Sequence, residues 1–150
     1  MPLYVNKTEI TDEQVFSEMQ FHPAPSRAEA RNEAAKALLI RELLRQEAVK
    51  DGHVPADADD EALDAGIMKL VEVKVVTPAA SEAVCRRYYD QNIDRFRISE
   101  KAAMPQEFAQ VEGKIQDYLH TSSIRQGIQS YILDLAGNAK ISGFDLAASL

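Results

Sequence analysis

The sequence predicts a mainly α-helical fold in which two short β-strands, one near each end of the chain, pair with each other. Residues that favour helix are plentiful, whereas the 150 residues include only six Gly and six Pro. Apolar residues recur at helical spacing through most of the chain. Residues 3–6 and roughly 140–145 instead alternate apolar and polar side chains. Two lone strands need each other, because neither satisfies its backbone groups alone.

Two capping boxes predict where the first two helices begin. In each box an N-cap hydroxyl and a polar side chain three residues later satisfy free backbone groups. The pairs are Thr11 with Gln14, and Ser26 with Glu29. The second box opens the longest predicted helix, over residues 27–50, whose apolar residues lie on two sides. That pattern is typical of a central helix, and we expect residues 38–44 to form the centre of the core.

The remaining helices are predicted from charge, capping and spacing. Acidic residues at 59–61 suit the start of a third helix, where the helix dipole favours negative charge. Residues 73–76 are β-branched or charged and are compatible with a short strand that Pro78 would end. Ser81 is the expected cap of a fourth helix. A long amphipathic helix follows from Phe108, and the weak helix formers around 121–127 are places where it would bend or break.

Composition and charge exclude several classes of protein. The net charge is −7, and the longest basic cluster is the pair Arg86 and Arg87. Nucleic acids and anionic membranes are therefore not expected partners, because both need a basic surface. No segment approaches the ~20 apolar residues of a membrane span, and the first residues do not resemble a secretory leader. We expect a soluble, cytoplasmic protein.

The residue patterns of catalytic and metal sites are missing from the sequence. His22, His53 and His120 are far apart, without the spacing of zinc ligands. The acidic run at 57–61 has neither the glycine nor the final glutamate of a calcium loop. Cys85 is alone and lies among apolar helix positions, so a buried and inert thiol is favoured over a reactive one. No phosphate-binding glycine loop or nucleophile elbow is present. We expect no enzyme activity, no metal and no cofactor.

Six bulky side chains are the candidates for binding a peptide. Aromatic and Met side chains adapt to varied partners, although packing within the core is the alternative for each of them. Three flank the Pro-rich elbow at residues 22–25, and three precede residues 98–107. The candidates are Phe16, Met19, Phe21, Tyr88, Tyr89 and Phe96.

A series of stretches, taken in order, points to a known family. The stretches are VNKTEIT at 5–11, MQFHPAPS at 19–26, ALLIRELLRQEA at 37–48, CRRYY with Asn92 and RFR at 85–97, FAQV to YL at 108–119, and YILDLA and ISGFDL within 131–146. Their order resembles parvulin-type peptidyl-prolyl isomerases with a SurA-like chaperone module. The similarity is greatest to the cytoplasmic branch that includes the nitrogenase maturation factor NifM.

The resemblance implies that the catalytic parvulin domain is absent. Between Arg97 and Phe108 there are 10 residues, whereas even a small domain needs roughly 50. The chain then reads as a single SurA-like module over 1–150. Its parts are an N-terminal part at 1–97, a connector at 98–107 in place of the parvulin domain, and a C-terminal helix and strand at 108–150. None of the family's active-site positions carries over.

The function that the resemblance implies is ATP-independent holding of an unfolded or partly folded client polypeptide, by a non-catalytic chaperone or maturation factor. Three alternatives remain open. The first is an obligate dimer, with a second copy of the chain as partner, or an adaptor for one specific protein. The second is an isomerase with an unrecognised site. The third is a generic helical domain that shares amphipathic patterns with the family by chance.

Overall fold

The helices and strands are placed by a computed structural model that describes residues 2–98 and 104–150. Within these residues the fold is mainly helical, as predicted. The α-helices are α1 (Asp12–Glu18), α2 (Arg27–Lys50), α3 (Asp60–Lys74), α4 (Glu82–Gln91), α5 (Phe108–Asn138) and α6 (Leu146–Ser149). Short 3₁₀ turns follow α1 and α4, at Met19–Phe21 and Ile93–Phe96. Three short strands accompany them: β1 (Leu3–Val5), β2 (Thr8–Ile10) and β3 (Ile141–Ser142).

The strands form one antiparallel sheet in the order β2-β1-β3. β1 pairs with β3, with Tyr4 opposite Ser142 and Val5 opposite Ile141, which confirms the predicted pairing of the two ends of the chain. The sequence predicts one strand near the N-terminus, at residues 3–6, but the structure has two, because β2 is a separate strand that pairs with β1. The turn is made at Asn6, whose φ of 56° is a left-handed conformation that Asn tolerates better than most residues.

Polar contacts of Asn6 join the sheet to α2. The backbone N–H of Asn6 donates to the Lys140 carbonyl at 2.7 Å, and the N–H of Lys140 donates to Asn6 Oδ1 at 3.0 Å. Asn6 Nδ2 also donates to Gln46 Oε1 at 2.7 Å. Gln46 Nε2 in turn donates to the Val5 carbonyl at 3.1 Å. One asparagine thus holds the hairpin turn, the entry to β3 and the central helix together.

The chain divides into two compact units. The first comprises Met1–Val75 and Ile128–Leu150, and the second comprises Val76–Gly127. The division falls within α5, close to the weak helix formers that the sequence marks, although the helix itself is continuous from Phe108 to Asn138. That residues 1–150 act as one module stays a prediction. Residues 99–103 of the predicted connector lie outside the described residues.

The core of the first unit is built around α2, which packs against α1, α3, α6 and β1. This confirms the prediction of a central helix. Leu39 is fully buried and Leu43 nearly so, whereas Leu38 is half-buried. Within the predicted 38–44 stretch, Leu39 and Leu43 therefore form the centre of the core, and Leu38 lies at its edge. A second cluster in the same unit, which includes Leu44, Val54 and Leu70, fills the space between α2 and α3.

Two local expectations differ from the structure. α3 continues through Lys74, and the Val75 N–H still donates to the Val71 carbonyl at 2.8 Å, so residues 73–76 do not form a strand. The favourable continuation of the helix outweighs the β-propensity of the valines. Near the C-terminus only Ile141–Ser142 pairs, because Gly143 turns the chain with a φ of 87°. α6 follows and buries Leu146.

Candidate functional site

Helix α1 is set by its cap and by one buried residue. Thr11 Oγ1 accepts from the Gln14 N–H at 3.1 Å, and Gln14 Oε1 accepts from the Thr11 N–H at 2.8 Å, so the predicted capping box is complete. Val15 is buried in the core. Since neighbouring helical residues point about 100° apart, anchoring Val15 turns Phe16 away from the core, and 65% of Phe16 is exposed.

The predicted elbow follows α1 and shapes a groove. The His22 N–H donates to the Met19 carbonyl at 3.0 Å, and the His22 ring lies 3.0 Å from Glu18 Oε1. A groove of about 620 Å³, which we call the elbow groove, opens here. Its apolar lining is Phe16, Met19, Pro23, Ala24, Pro25 and Ala30. Arg27 begins α2 at this groove, and its guanidinium lies 6.0 Å from the centre of the Phe16 ring.

A second, smaller groove of about 420 Å³ lies along α1, and we call it the helix groove. Phe21, which is 68% exposed, and the half-buried Leu38 supply its large apolar side chains. Ser17 and Gln20 line both grooves, so the two are neighbours across α1. We call the two together the elbow surface. Large apolar side chains and concave surface coincide there.

A third depression, of about 530 Å³, adjoins the helix groove and is strongly charged. It shares Gln14, Glu18 and Leu38 with the helix groove. Its charged lining comprises Glu9, Glu18, Arg41, Glu42, Arg45, Asp60 and Asp64. We call it the acidic cleft, because five carboxylates outnumber two guanidinium groups.

The two arginines of the acidic cleft are held by carboxylates. Arg45 donates to both oxygens of Glu42, from Nη2 at 2.6 Å and from Nε at 2.8 Å. Burial opposes ionisation of Glu42, but hydrogen bonds from Arg45 and Gln46 outweigh it, and the pKa of Glu42 is lowered. Arg41 donates to Asp64 at 2.7 Å and lies 3.6 Å from Asp60. Neither arginine therefore offers a free positive charge.

The acidic cleft is not predicted from the sequence, in which Asp60 is only a negative charge that suits the start of α3. Leu38, Glu42 and Arg45 do recur at the i, i+4 and i+7 positions of one helix face, which was the available signal. That face becomes a cleft only when β2 and α3 lie beside it, and their placement depends on tertiary packing.

The structure separates the six predicted binding residues into two groups. Phe16, Met19 and Phe21 lie on the elbow surface of the first unit. Of these, Met19 is partly buried and also packs against the core. Tyr88, Tyr89 and Phe96 belong to the second unit, where they join an aromatic cluster with Phe108. That second group is described by itself.

Tyr89 is a core residue, which corrects its assignment as a candidate for binding. Only 9% of it is exposed, and its hydroxyl donates to the Gln106 carbonyl. Tyr88 and Phe96 are half-buried, with ring centres 6.2 Å apart. The Tyr88 hydroxyl also accepts from Arg95 at 3.1 Å. A unit of this size needs its aromatic side chains for its own core, and sequence spacing alone does not distinguish that use from a groove.

Cys85 is almost fully buried in the second unit, where it packs with Tyr89, Phe108 and Ile115. Burial raises the pKa of its thiol, and the carboxylates of Glu112 and Glu82 raise it further. The nucleophilic thiolate is therefore disfavoured. Across residues 2–98 and 104–150, no three His, Cys, Asp or Glu side chains are grouped so that they could hold a metal ion. None of the helices in these same residues is both long and apolar enough to cross a membrane.

Comparison with known proteins does not add a relative. The chain matches no protein-family model, no curated protein and no solved structure.

Proposed function

We propose that this chain is a cytoplasmic, non-catalytic chaperone or maturation factor that holds an unfolded or partly folded client polypeptide at its elbow surface, without ATP. One observation carries the proposal. Phe16 and Phe21 are each about two-thirds exposed, although both lie within six residues of Val15, which is buried and anchors α1. Single exposed apolar residues are common on proteins. Two phenylalanines beside connected grooves form a surface that a client side chain can fill.

The shape and composition of the elbow surface suit a varied client. Both grooves are shallow, and Met19 and the two phenylalanines adapt to side chains of different form. Binding a non-native chain lowers the concentration of its free form and so opposes its aggregation. We expect modest affinity, because ordering a flexible client costs part of the interaction energy. The net charge of −7 helps the protein to tolerate an exposed apolar surface.

The resemblance to parvulin-type isomerases with a SurA-like module supports the same function. Under this proposal the chain keeps the chaperone module of that family, and residues 98–107 replace the catalytic domain. Residues 19–26, one of the stretches that carry the resemblance, then supply part of the elbow surface.

Suppression of aggregation tests the proposal directly. Heat-induced aggregation of a labile test enzyme is followed by light scattering, with and without this protein in several-fold excess. The test variant carries Phe16→Ser and Phe21→Ser. A matched control carries Met68→Ser and Val73→Ser, which also remove two exposed apolar side chains but line none of the three depressions. Wild type and control are expected to suppress scattering, and the test variant is expected to lose most of the effect.

Two results would contradict the proposal. If wild type does not reduce scattering, general holding is wrong and a dedicated partner or a second copy of the chain becomes the better hypothesis. If the double Phe variant protects as well as wild type, clients are held elsewhere on the protein. A proline-peptide isomerisation assay with the same preparations checks the absence of catalysis, since clear turnover at low protein concentration would indicate an enzyme.

A further inference from the structure

The acidic cleft lies directly beside the surface that we assign to the client. It shares Gln14, Glu18 and Leu38 with the helix groove, which in turn shares Ser17 and Gln20 with the elbow groove. The three depressions are therefore adjacent in series, from the elbow groove past α1 to the acidic cleft, and we call this series the band. A client segment that lies in the elbow surface and continues along this band enters the acidic cleft.

The cleft is negative in a way that its own arginines do not cancel. Five carboxylates and two guanidinium groups line it, which leaves three negative charges. Glu42 and Asp64 are occupied by Arg45 and Arg41. The side chain of Asp60 is 98% exposed, and its ion pair with Arg41, at 3.6 Å, is weak. Glu9 is exposed and forms no ion pair with any residue of the described ranges.

The floor of the cleft is apolar. Ile10 and Leu63 are buried, and Leu38 is half-buried. Lys and Arg side chains combine an aliphatic stem with a charged end, and they commonly lay the stem on an apolar surface while the end stays near water. An apolar floor beneath exposed carboxylates matches that chemistry. A purely apolar side chain would leave the exposed carboxylates of Glu9 and Asp60 uncompensated, and an acidic side chain would be repelled.

The opposite end of the band carries the opposite charge. Arg27 lies over Phe16 at the elbow groove, where a second cation from the client would be repelled. A basic client residue is therefore favoured at the acidic end of the band and disfavoured at the elbow end.

We propose that the preferred clients are segments in which a large apolar side chain, seated on the elbow surface, is followed by a Lys or Arg that reaches the acidic cleft. This inference rests on the proposed function and adds the chemistry of the client. Attraction between the cleft and a basic segment speeds the encounter and discriminates against acidic segments. It weakens as salt screens the exposed charges.

Three fluorescein-labelled peptides of equal length provide the probes. They share two Phe residues and carry Lys, Ser or Glu at the same flanking positions. Binding to the full chain is measured by fluorescence anisotropy at low and at high salt. The Lys peptide is expected to bind most tightly and the Glu peptide most weakly, and the preference for Lys is expected to shrink at high salt.

Charge-matched variants locate the effect. Glu9→Gln combined with Asp60→Asn is expected to weaken binding of the Lys peptide about three- to tenfold at low salt and to leave the Ser peptide unchanged. The control, Glu33→Gln with Glu72→Gln, removes the same charge from exposed positions outside the three depressions and is expected to match wild type.

The outcomes separate this inference from the proposed function. Equal binding of the three peptides, or equal losses in the cleft and control variants, would overturn the basic-client inference and leave client holding in place. Failure of every peptide to bind wild-type protein would overturn both.

Discussion

A glycine in α3 offers a sharp test of how closely this helix packs. Gly66 lies in the middle of α3 and is buried. Replacing a glycine by alanine within a helix normally stabilises it by up to about 1 kcal/mol. At Gly66, however, an added Cβ would lie 2.7 Å from Val54 Cβ, 3.1 Å from Val54 Cγ1 and 3.3 Å from the His53 carbonyl oxygen. These distances are shorter than normal van der Waals contacts, so we expect Gly66→Ala to destabilise the first unit.

The magnitude follows from two opposing contributions. Overpacking a close contact costs about 1–3 kcal/mol, and the gain in helix propensity returns up to about 1 kcal/mol. Gly137 is the matched control, because it is helical, belongs to the same unit and has nothing within 4 Å of an added Cβ. For Gly137→Ala we expect only the gain in stability from helix propensity. The difference between the two variants therefore isolates the cost of the contact with Val54, about 1–3 kcal/mol.

Urea unfolding followed by circular dichroism measures both variants. Since both glycines belong to the first unit, one transition reports on both substitutions. We expect Gly66→Ala to lower the midpoint and Gly137→Ala to leave it unchanged or to raise it slightly. Equal midpoints for the two variants would refute the reasoning, because they would show that α3 has room at Gly66 for a methyl group.

Two further predictions concern the central helix. Leu39→Ala is expected to lower the free energy of unfolding by about 2–5 kcal/mol because Leu39 is fully buried, and Leu38→Ala by less because Leu38 is half-buried. Urea unfolding checks the order of the two losses, and the reverse order would contradict the placement of the core. The lowered pKa of Glu42 means that its ionised form stabilises the fold above its ordinary pKa of 4.5, and that this contribution is lost as pH falls through the lowered value. Glu42→Gln should therefore be less stable than wild type at neutral pH by about 1–3 kcal/mol. The gap should close in acid, and a constant gap would show that the ionised pair is not its source.

The features that the sequence predicts well are those set by contacts between residues close in the chain. Thr11, Ser26 and Ser81 all serve as N-caps, each accepting from a backbone N–H three residues later. Such caps need no information from the rest of the fold. The Ser26 box is only half formed, since Ser26 accepts from the Glu29 N–H without a return bond from the Glu29 side chain.

The features that the sequence does not predict depend on which elements meet. The spacing of Tyr88 and Tyr89 places both on a helix, but burial of Tyr89 depends on Phe108 and Gln106, which come from a distant part of the chain. Val75 differs for a local reason: its residue type suits a strand, but its N–H continues the hydrogen bonding of α3 by donating to the Val71 carbonyl. Helical spacing identifies the side of a helix on which a residue lies. It does not tell how deep that side is buried.

Leu38 shows how the core and the candidate surfaces are linked. It packs against the core of the first unit, and it also lines both the helix groove and the acidic cleft. The next residue, Leu39, is fully buried and lines none of the three depressions. Because a step of one residue turns the helix by about 100°, α2 presents one leucine to the interior and its neighbour to the junction of apolar and acidic surface. Substitutions of Leu38 and Leu39 should therefore differ in their effects on stability and on the proposed client binding. Truncating Leu39 affects mainly folding, whereas truncating Leu38 also removes the apolar floor on which a basic client residue would lie.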